Sequence, residues 1–178
     1  MLSHQCKFVC RNFSQNSGKF ADIVVVGGGL VGSALACKLA KSRWLSSKKT
    51  CLLESSPKKP AISQNISSIP FSNRVVALNA GTQSLFESIG VWDLIPRKKS
   101  YHKMFVWDHC SPSNIEFKSN EAPIAHIIEN DFVLNALDHV TDQLVEEQDN
   151  FEVIYSANIK SCDLPTKENE NDFARCEI

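Results

Sequence analysis

The chain has 178 residues and a formal net charge of −1, enough length for a domain with a real core and no basic excess of the kind that nucleic acid attracts. Its apolar share of 43% is ordinary for a globular protein, and the longest hydrophobic segment is broken by Lys38 and Lys41, short of the ~20 apolar residues that a membrane span needs. No nucleic acid partner and no transmembrane helix is expected.

Residues 1–21 carry Lys7, Arg11 and Lys19, several Ser and Asn, and no acid before Asp22. That basic, acid-poor composition suits a mitochondrial presequence. The seven cysteines at 6, 10, 37, 51, 110, 162 and 176 contain no C-x-x-C and no paired spacing, so the chain reads as a protein of a reducing compartment. Cys37 and Cys51 fall on apolar segments and are expected as small buried hydrophobes. The sequons at Asn12 and Asn65 are then expected to be chance.

From Asp22 the sequence runs "DIVVVGGGLVGSALACKLA", an apolar run, three glycines in a row and an alanine- and leucine-rich segment: strand, tight turn, helix. Gly27, Gly29 and Gly32 fit G-x-G-x-x-G, which serves a sharp strand exit, close approach of backbone to a pyrophosphate, and close helix-to-strand packing. Phosphates would sit on the first-turn N–H groups of the helix beginning near Leu30. A second strand should end in an acid roughly 20 residues further on, accepting from a ribose. "TCLLE" supplies Glu54 there. A carboxylate at that place repels a 2′-phosphate, which disfavours NADP and leaves FAD and NAD open.

After Glu54, "SSPKKPAISQNISSIPFSN" reads as an exposed loop. "RVVALNAGTQSLFESIG" predicts a strand and a helix with Leu85 and Phe86 inward and Gly90 as the stop. "KMFVWD" and "NIEF" flank "HCSPS" and predict a hairpin. "AHIIEN" predicts a strand leading into a helix with Val133, Leu137, Val140 and Leu144 on one face, Asp138, Asp142 and Glu146 on the other, and Asn130 as N-cap. "FEVIYSANI" resumes strand character, and the stretch from Pro165 on is polar. An uninterrupted Rossmann domain would continue strand, helix, strand after Glu54. This chain leaves for a loop and a hairpin instead, which favours FAD over NAD. His102, His109, His126 and His139 show no metal spacing, and no metal is expected.

"DIVVVGGGLVGSALACKLA", "CLLE", "SNRVVALNAGTQSLFESIGVWD", "MFVWD" and "IIENDFVLNAL", in this order, resemble the front half of the flavin monooxygenases of ubiquinone biosynthesis, in particular the mitochondrial ring hydroxylases. The resemblance covers roughly residues 22 to 160. That family belongs to the group similar to para-hydroxybenzoate hydroxylase. The resemblance implies an α/β fold in which a Rossmann-like FAD-binding domain is interrupted by a β-sheet substrate domain. After the presequence expected at 1–21, the chain is expected to divide into the first part of the FAD domain (22–100), the start of a substrate-domain hairpin (101–123), and a returning FAD-domain helix and strands, truncated (124–178).

The resemblance also implies that Gly27, Gly29, Gly32 and Glu54 hold FAD, that Arg74 lies beside the flavin, and that Asn130 serves the ribityl-pyrophosphate. Reduced FAD would activate O2 to hydroxylate a phenolic ring with a polyprenyl tail, with no residue here assigned as an obligatory acid or base. The implied partners are a ferredoxin-type electron donor, other enzymes of ubiquinone synthesis, and a peripheral contact with the matrix side of the inner membrane. The family's later G-A-D-G and G-D segments do not occur here, so an N-terminal fragment with weak or no flavin binding is expected. Two other readings are a different FAD or NAD oxidoreductase and a truncated, non-catalytic interaction module. The missing C-x-x-x-x-C speaks against a disulfide reductase.

Overall fold

The computed structural model describes residues 6–9, 19–62, 66–164 and 174–178, a mixed α/β chain in two compact units, residues 1–60 with 137–178 and residues 61–136. Most of the presequence expected at 1–21, and the sequons at Asn12 and Asn65, lie outside the described residues; of that stretch, β1 (Cys6–Val9) and β2 (Lys19–Ala21) are strands.

In the first unit β3 (Ile23–Val26) runs into the glycine turn, α1 (Leu30–Ala40) follows, and β4 (Thr50–Leu53) returns parallel to β3 with Val26 opposite Leu53. β4 is the middle strand of its sheet and is buried along its whole length, which is why it reads as a continuous apolar run rather than an alternation. Its other neighbour, also parallel, is β10 (Phe151–Ile154), which pairs Ile154 with Leu53 although residues 54–150 intervene. Asp22 ties the start of β3 to the turn before β4, accepting from the Lys49 N–H at 2.8 Å and the Lys48 ammonium at 3.1 Å. The unit ends in β11 (Ser161–Asp163) and β12 (Arg175–Glu177), antiparallel to each other, with β12 parallel to β1. The polar stretch at the C-terminal end thus includes a strand that its composition does not announce.

The second unit holds β5 (Val75–Leu78), α2 (Ala80–Ile89), β6 (Lys99–Tyr101), the hairpin β7 (Lys103–Trp107) and β8 (Asn114–Lys118), and β9 (Ala125–Glu129). β9 is the middle of an antiparallel sheet between β5 and β6. α2 begins at Asn79, whose side chain accepts from the Thr82 N–H at 2.9 Å, and stops at Gly90 with φ 81°, the left-handed conformation that a glycine adopts without steric cost.

α3 (Asn130–Glu147) starts in the second unit and runs into the first. The stripe of Val133, Leu137, Val140 and Leu144 is buried as its spacing predicts. One expectation for this helix needs correction. Asn130 is its first residue rather than its cap, and the buried Oδ1 of Asn130 accepts no hydrogen bond among the described residues. On the face opposite the apolar stripe Asp138 is half-buried, and burial, then the neighbouring Asp142 charge, pushes its carboxyl above the ordinary range. Among the described residues no helix is long and apolar enough to cross a membrane.

Candidate functional site

The turn between β3 and α1 contains glycines for three different reasons. Gly27 has φ 99°, in the left-handed region that side chains avoid, and its N–H donates to the Leu53 carbonyl at 2.8 Å. Gly32 is fixed by space: a Cβ there would lie 1.8 Å from the Gly27 carbonyl oxygen. Gly29 has neither reason, since its backbone is extended at φ −74° and ψ −173° and a Cβ would meet nothing within 4 Å. The protein's own fold does not require glycine at 29. Gly29 caps α1, whose first-turn N–H groups have no intrahelical acceptor and carry the positive end of the helix dipole.

Glu54, directly after β4, holds this turn. Its Oε2 accepts from the Gly28 N–H at 2.6 Å, and its Oε1 from the Ser56 N–H at 2.7 Å. Sequence reasoning singled out Glu54 but missed its bond to Gly28, the variable position of the motif. Ser33 reinforces the turn, its hydroxyl donating to the Gly28 carbonyl at 2.9 Å. The Ser56 N–H above all, then the Ser56 hydroxyl and the Gly28 N–H, hold the Glu54 carboxyl below its ordinary range against the opposing effect of burial. The Lys49 N–H, then Lys48, does the same for Asp22.

A carboxylate whose folded pKa is depressed contributes stability that is present above its unfolded value and lost as pH falls through the folded one. The urea midpoint of the first unit is therefore expected to hold level from neutral pH to about 5 and to fall below about pH 4, where carboxylates ordinarily titrate. Asp138, shifted the other way, opposes this fall. Glu54→Gln should make the acid-side slope shallower, and an unchanged slope in that variant would remove Glu54 from the account.

In the second unit Arg74 and Asn130 are neighbours through their main chains: the Asn130 N–H donates to the Arg74 carbonyl at 3.0 Å, in register with the Val75–Glu129 pair of β5 and β9. The Arg74 side chain is exposed, while Asn130 Oδ1 is a buried acceptor without a donor among the described residues. The segment before Arg74 is held by residues that sequence reasoning did not find. Glu129, 6% exposed, accepts from the Ser72 N–H at 2.7 Å and from Arg97 Nη2 at 3.2 Å. Arg97 Nε lies 2.9 Å from Glu129 Oε2, close as an ion pair but outside hydrogen-bond alignment. Arg97 Nη1 donates to the Ile69 carbonyl at 3.2 Å, and the guanidinium stacks on Phe71 and Phe132 at 4.4 and 4.6 Å. Among the described residues no three His, Cys, Asp or Glu side chains gather as a metal site requires.

The chain is 36% identical over 155 residues to the mitochondrial ubiquinone biosynthesis monooxygenase COQ6 of Caenorhabditis elegans, which covers 85% of this chain and 33% of that protein. It is 41% identical over 137 residues to the Homo sapiens protein of the same name, covering 75% of this chain and 28% of that one. The chain is similar to the mitochondrial ubiquinone biosynthesis monooxygenases. It spans about a third of the length of the curated relatives it matches. No model of a known protein family matches it.

Solved structures agree on the fold. PqsL of Pseudomonas aeruginosa, described as a probable FAD-dependent monooxygenase, has a TM-score of 0.54 at 14% identity, over 88% of this chain and 40% of that one. A 2-methyl-3-hydroxypyridine-5-carboxylic acid oxygenase gives 0.55 at 16% identity, over 83% and 36%.

Proposed function

We propose that the whole protein is a FAD-dependent monooxygenase that hydroxylates the aromatic ring of a polyprenylated phenol in ubiquinone biosynthesis, in the mitochondrion. The observation that carries the cofactor is Gly29: an ordinary extended backbone, open space where a side chain would stand, and a glycine nonetheless, at the mouth of a helix N-terminus. Such a place fits a pyrophosphate that a Cβ would exclude. The relatives' shared name supports the pathway.

FAD, when bound, supplies the redox chemistry that activates O2. The chain's own residues would hold and orient it. Gly27 and Gly32 shape the turn, Gly29 admits the phosphates, and Glu54 fixes the turn through Gly28 while offering carboxylate lone pairs to a ribose. Arg74 and Asn130 are assigned to the flavin half on the resemblance, and for Asn130 also on its buried Oδ1, since an unmet acceptor costs about 1–3 kcal/mol that a polar ligand group would relieve. The FAD domain is read as interrupted by a substrate domain, because β10 rejoins β4 after a long excursion. A ferredoxin-type donor, other enzymes of the pathway and a peripheral position on the matrix side of the inner membrane complete the reading.

Complementation tests it. Cells lacking their own ubiquinone-ring monooxygenase, supplied with the whole protein, are expected to regain ubiquinone and to stop accumulating the unhydroxylated polyprenyl phenol. With Gly29→Val they should regain less than a tenth as much, at unchanged protein level. Full rescue by Gly29→Val would remove the pyrophosphate from Gly29, and no rescue by the wild type would overturn the activity.

A further inference from the structure

Cys162 and Cys176 stand 14 residues apart in sequence but opposite each other in the β11–β12 pair, with Sγ atoms 3.3 Å apart. Sequence spacing gave no sign of this, because the pairing is made by two antiparallel strands and not by a C-x-x-C. The two thiols differ in setting. Cys162 is exposed, while Cys176 is 3% exposed and packs in a core cluster with Ala21, Cys51, Leu53 and Ala157. Strands paired in antiparallel register hold their Cα atoms within the span that a disulfide bridges, so the sulfurs need to close by only about 1.2 Å to reach the bond length of about 2.05 Å.

We propose that Cys162 and Cys176 form a peroxide-sensitive dithiol, with Cys162 as the residue oxidised first and Cys176 as the one that resolves it. The Cys162 sulfur attacks hydrogen peroxide: an S–O bond forms, the O–O bond breaks, one water leaves, and Cys162 becomes a sulfenic acid. The Cys176 sulfur then attacks the Cys162 sulfur: the S–S bond forms, the S–O bond breaks, and the hydroxyl leaves as a second water with the Cys176 proton. Two thiols are oxidised by two electrons in total, and one peroxide is reduced to two waters. The exposed partner meets the oxidant and the buried one is already in contact with it, which favours closure over further oxidation.

The bond joins β11 to β12. Through Cys176 it reaches the core cluster that contains Leu53, the residue before Glu54. Oxidation therefore stiffens the unit that carries the glycine turn, and a thiol reductant reverses it. None of this depends on the proposed function.

The test is mass spectrometry on the folded, reduced chain treated with a few equivalents of hydrogen peroxide, alkylated and digested without reduction. The expected result is a Cys162–Cys176 linked peptide, a loss of two hydrogens in mass, and a Tm raised by roughly 5 to 10 °C that dithiothreitol returns to its starting value. Cys176→Ser should leave Cys162 as a sulfenic acid that dimedone traps. Cys162→Ser should leave Cys176 reduced at the same dose. A link between Cys51 and Cys176, dimedone adducts at Cys162 in the wild type without a link, or no loss of thiols at doses that oxidise free cysteine would each overturn the proposal; the wild-type map alone decides this even where a variant fails to fold.

Discussion

Gly32→Ala is expected to destabilise the first unit by about 3 kcal/mol or more, the upper range for forcing extra volume into a packed interior. A methyl group at 1.8 Å from the Gly27 carbonyl oxygen has no relaxed solution, because the obstacle is backbone at the end of a buried sheet and not a side chain that can turn away. The helix must lift from the turn and from β3, whose Val25 side chain also stands 3.6 Å from the added carbon. A fall in the urea midpoint, with loss of nucleotide binding in parallel, is the expected outcome. Gly29→Val should differ in kind, losing the ligand while costing only about 1 kcal/mol as a poorer N-cap, since nothing stands within 4 Å of its Cβ position. Equal stability of Gly32→Ala and the wild type would show that α1 does not sit as closely on the turn as described.

The second large effect is expected at Glu129. Glu129→Ala leaves the Arg97 guanidinium, itself 22% exposed, without its counter-charge and frees the Ser72 N–H, which should cost about 3 kcal/mol or more. The cost falls on the segment from Ile69 to Arg74, whose main chain Arg97 and Glu129 hold from both ends. Replacing the pair together, Arg97→Met with Glu129→Leu, should recover most of that loss, because a buried ion pair contributes little beyond what matched apolar groups supply. Urea unfolding of the single and double variants reads this directly. A double variant as unstable as Glu129→Ala would mean that the hydrogen bonds to Ser72 and Ile69, rather than the stranded charge, dominate.

Much of the frame is legible in the sequence because it is periodic or local. Ile23 to Val26, the "TCLL" run, the stripe at 133, 137, 140 and 144, and the stop at Gly90 each announce themselves by spacing or by a residue type that one conformation demands. The polar contacts that shape the candidate site are not local. Glu54 and Gly28 are 26 residues apart, Arg97 and Glu129 32, and Cys162 and Cys176 14. Periodicity reports which face is buried and is silent on which distant partner a buried polar group meets. Asn130 shows the same limit at short range. Its residue type suits a cap, but the helix begins at Asn130 itself, and its Oδ1 accepts no hydrogen bond among the described residues.

The claim on which the rest stands is that the turn from Gly27 to Val31, with Glu54, holds the diphosphate and ribose of an adenine nucleotide. Titration of the ¹⁵N-labelled whole protein with ADP, followed amide by amide, tests it even where binding is weak. Saturable shifts are expected, concentrated at Gly27 to Val31 and at Glu54 to Ser56 and absent in Gly29→Val. Saturating ADP that leaves those amides in place, or that moves only amides elsewhere, would contradict it.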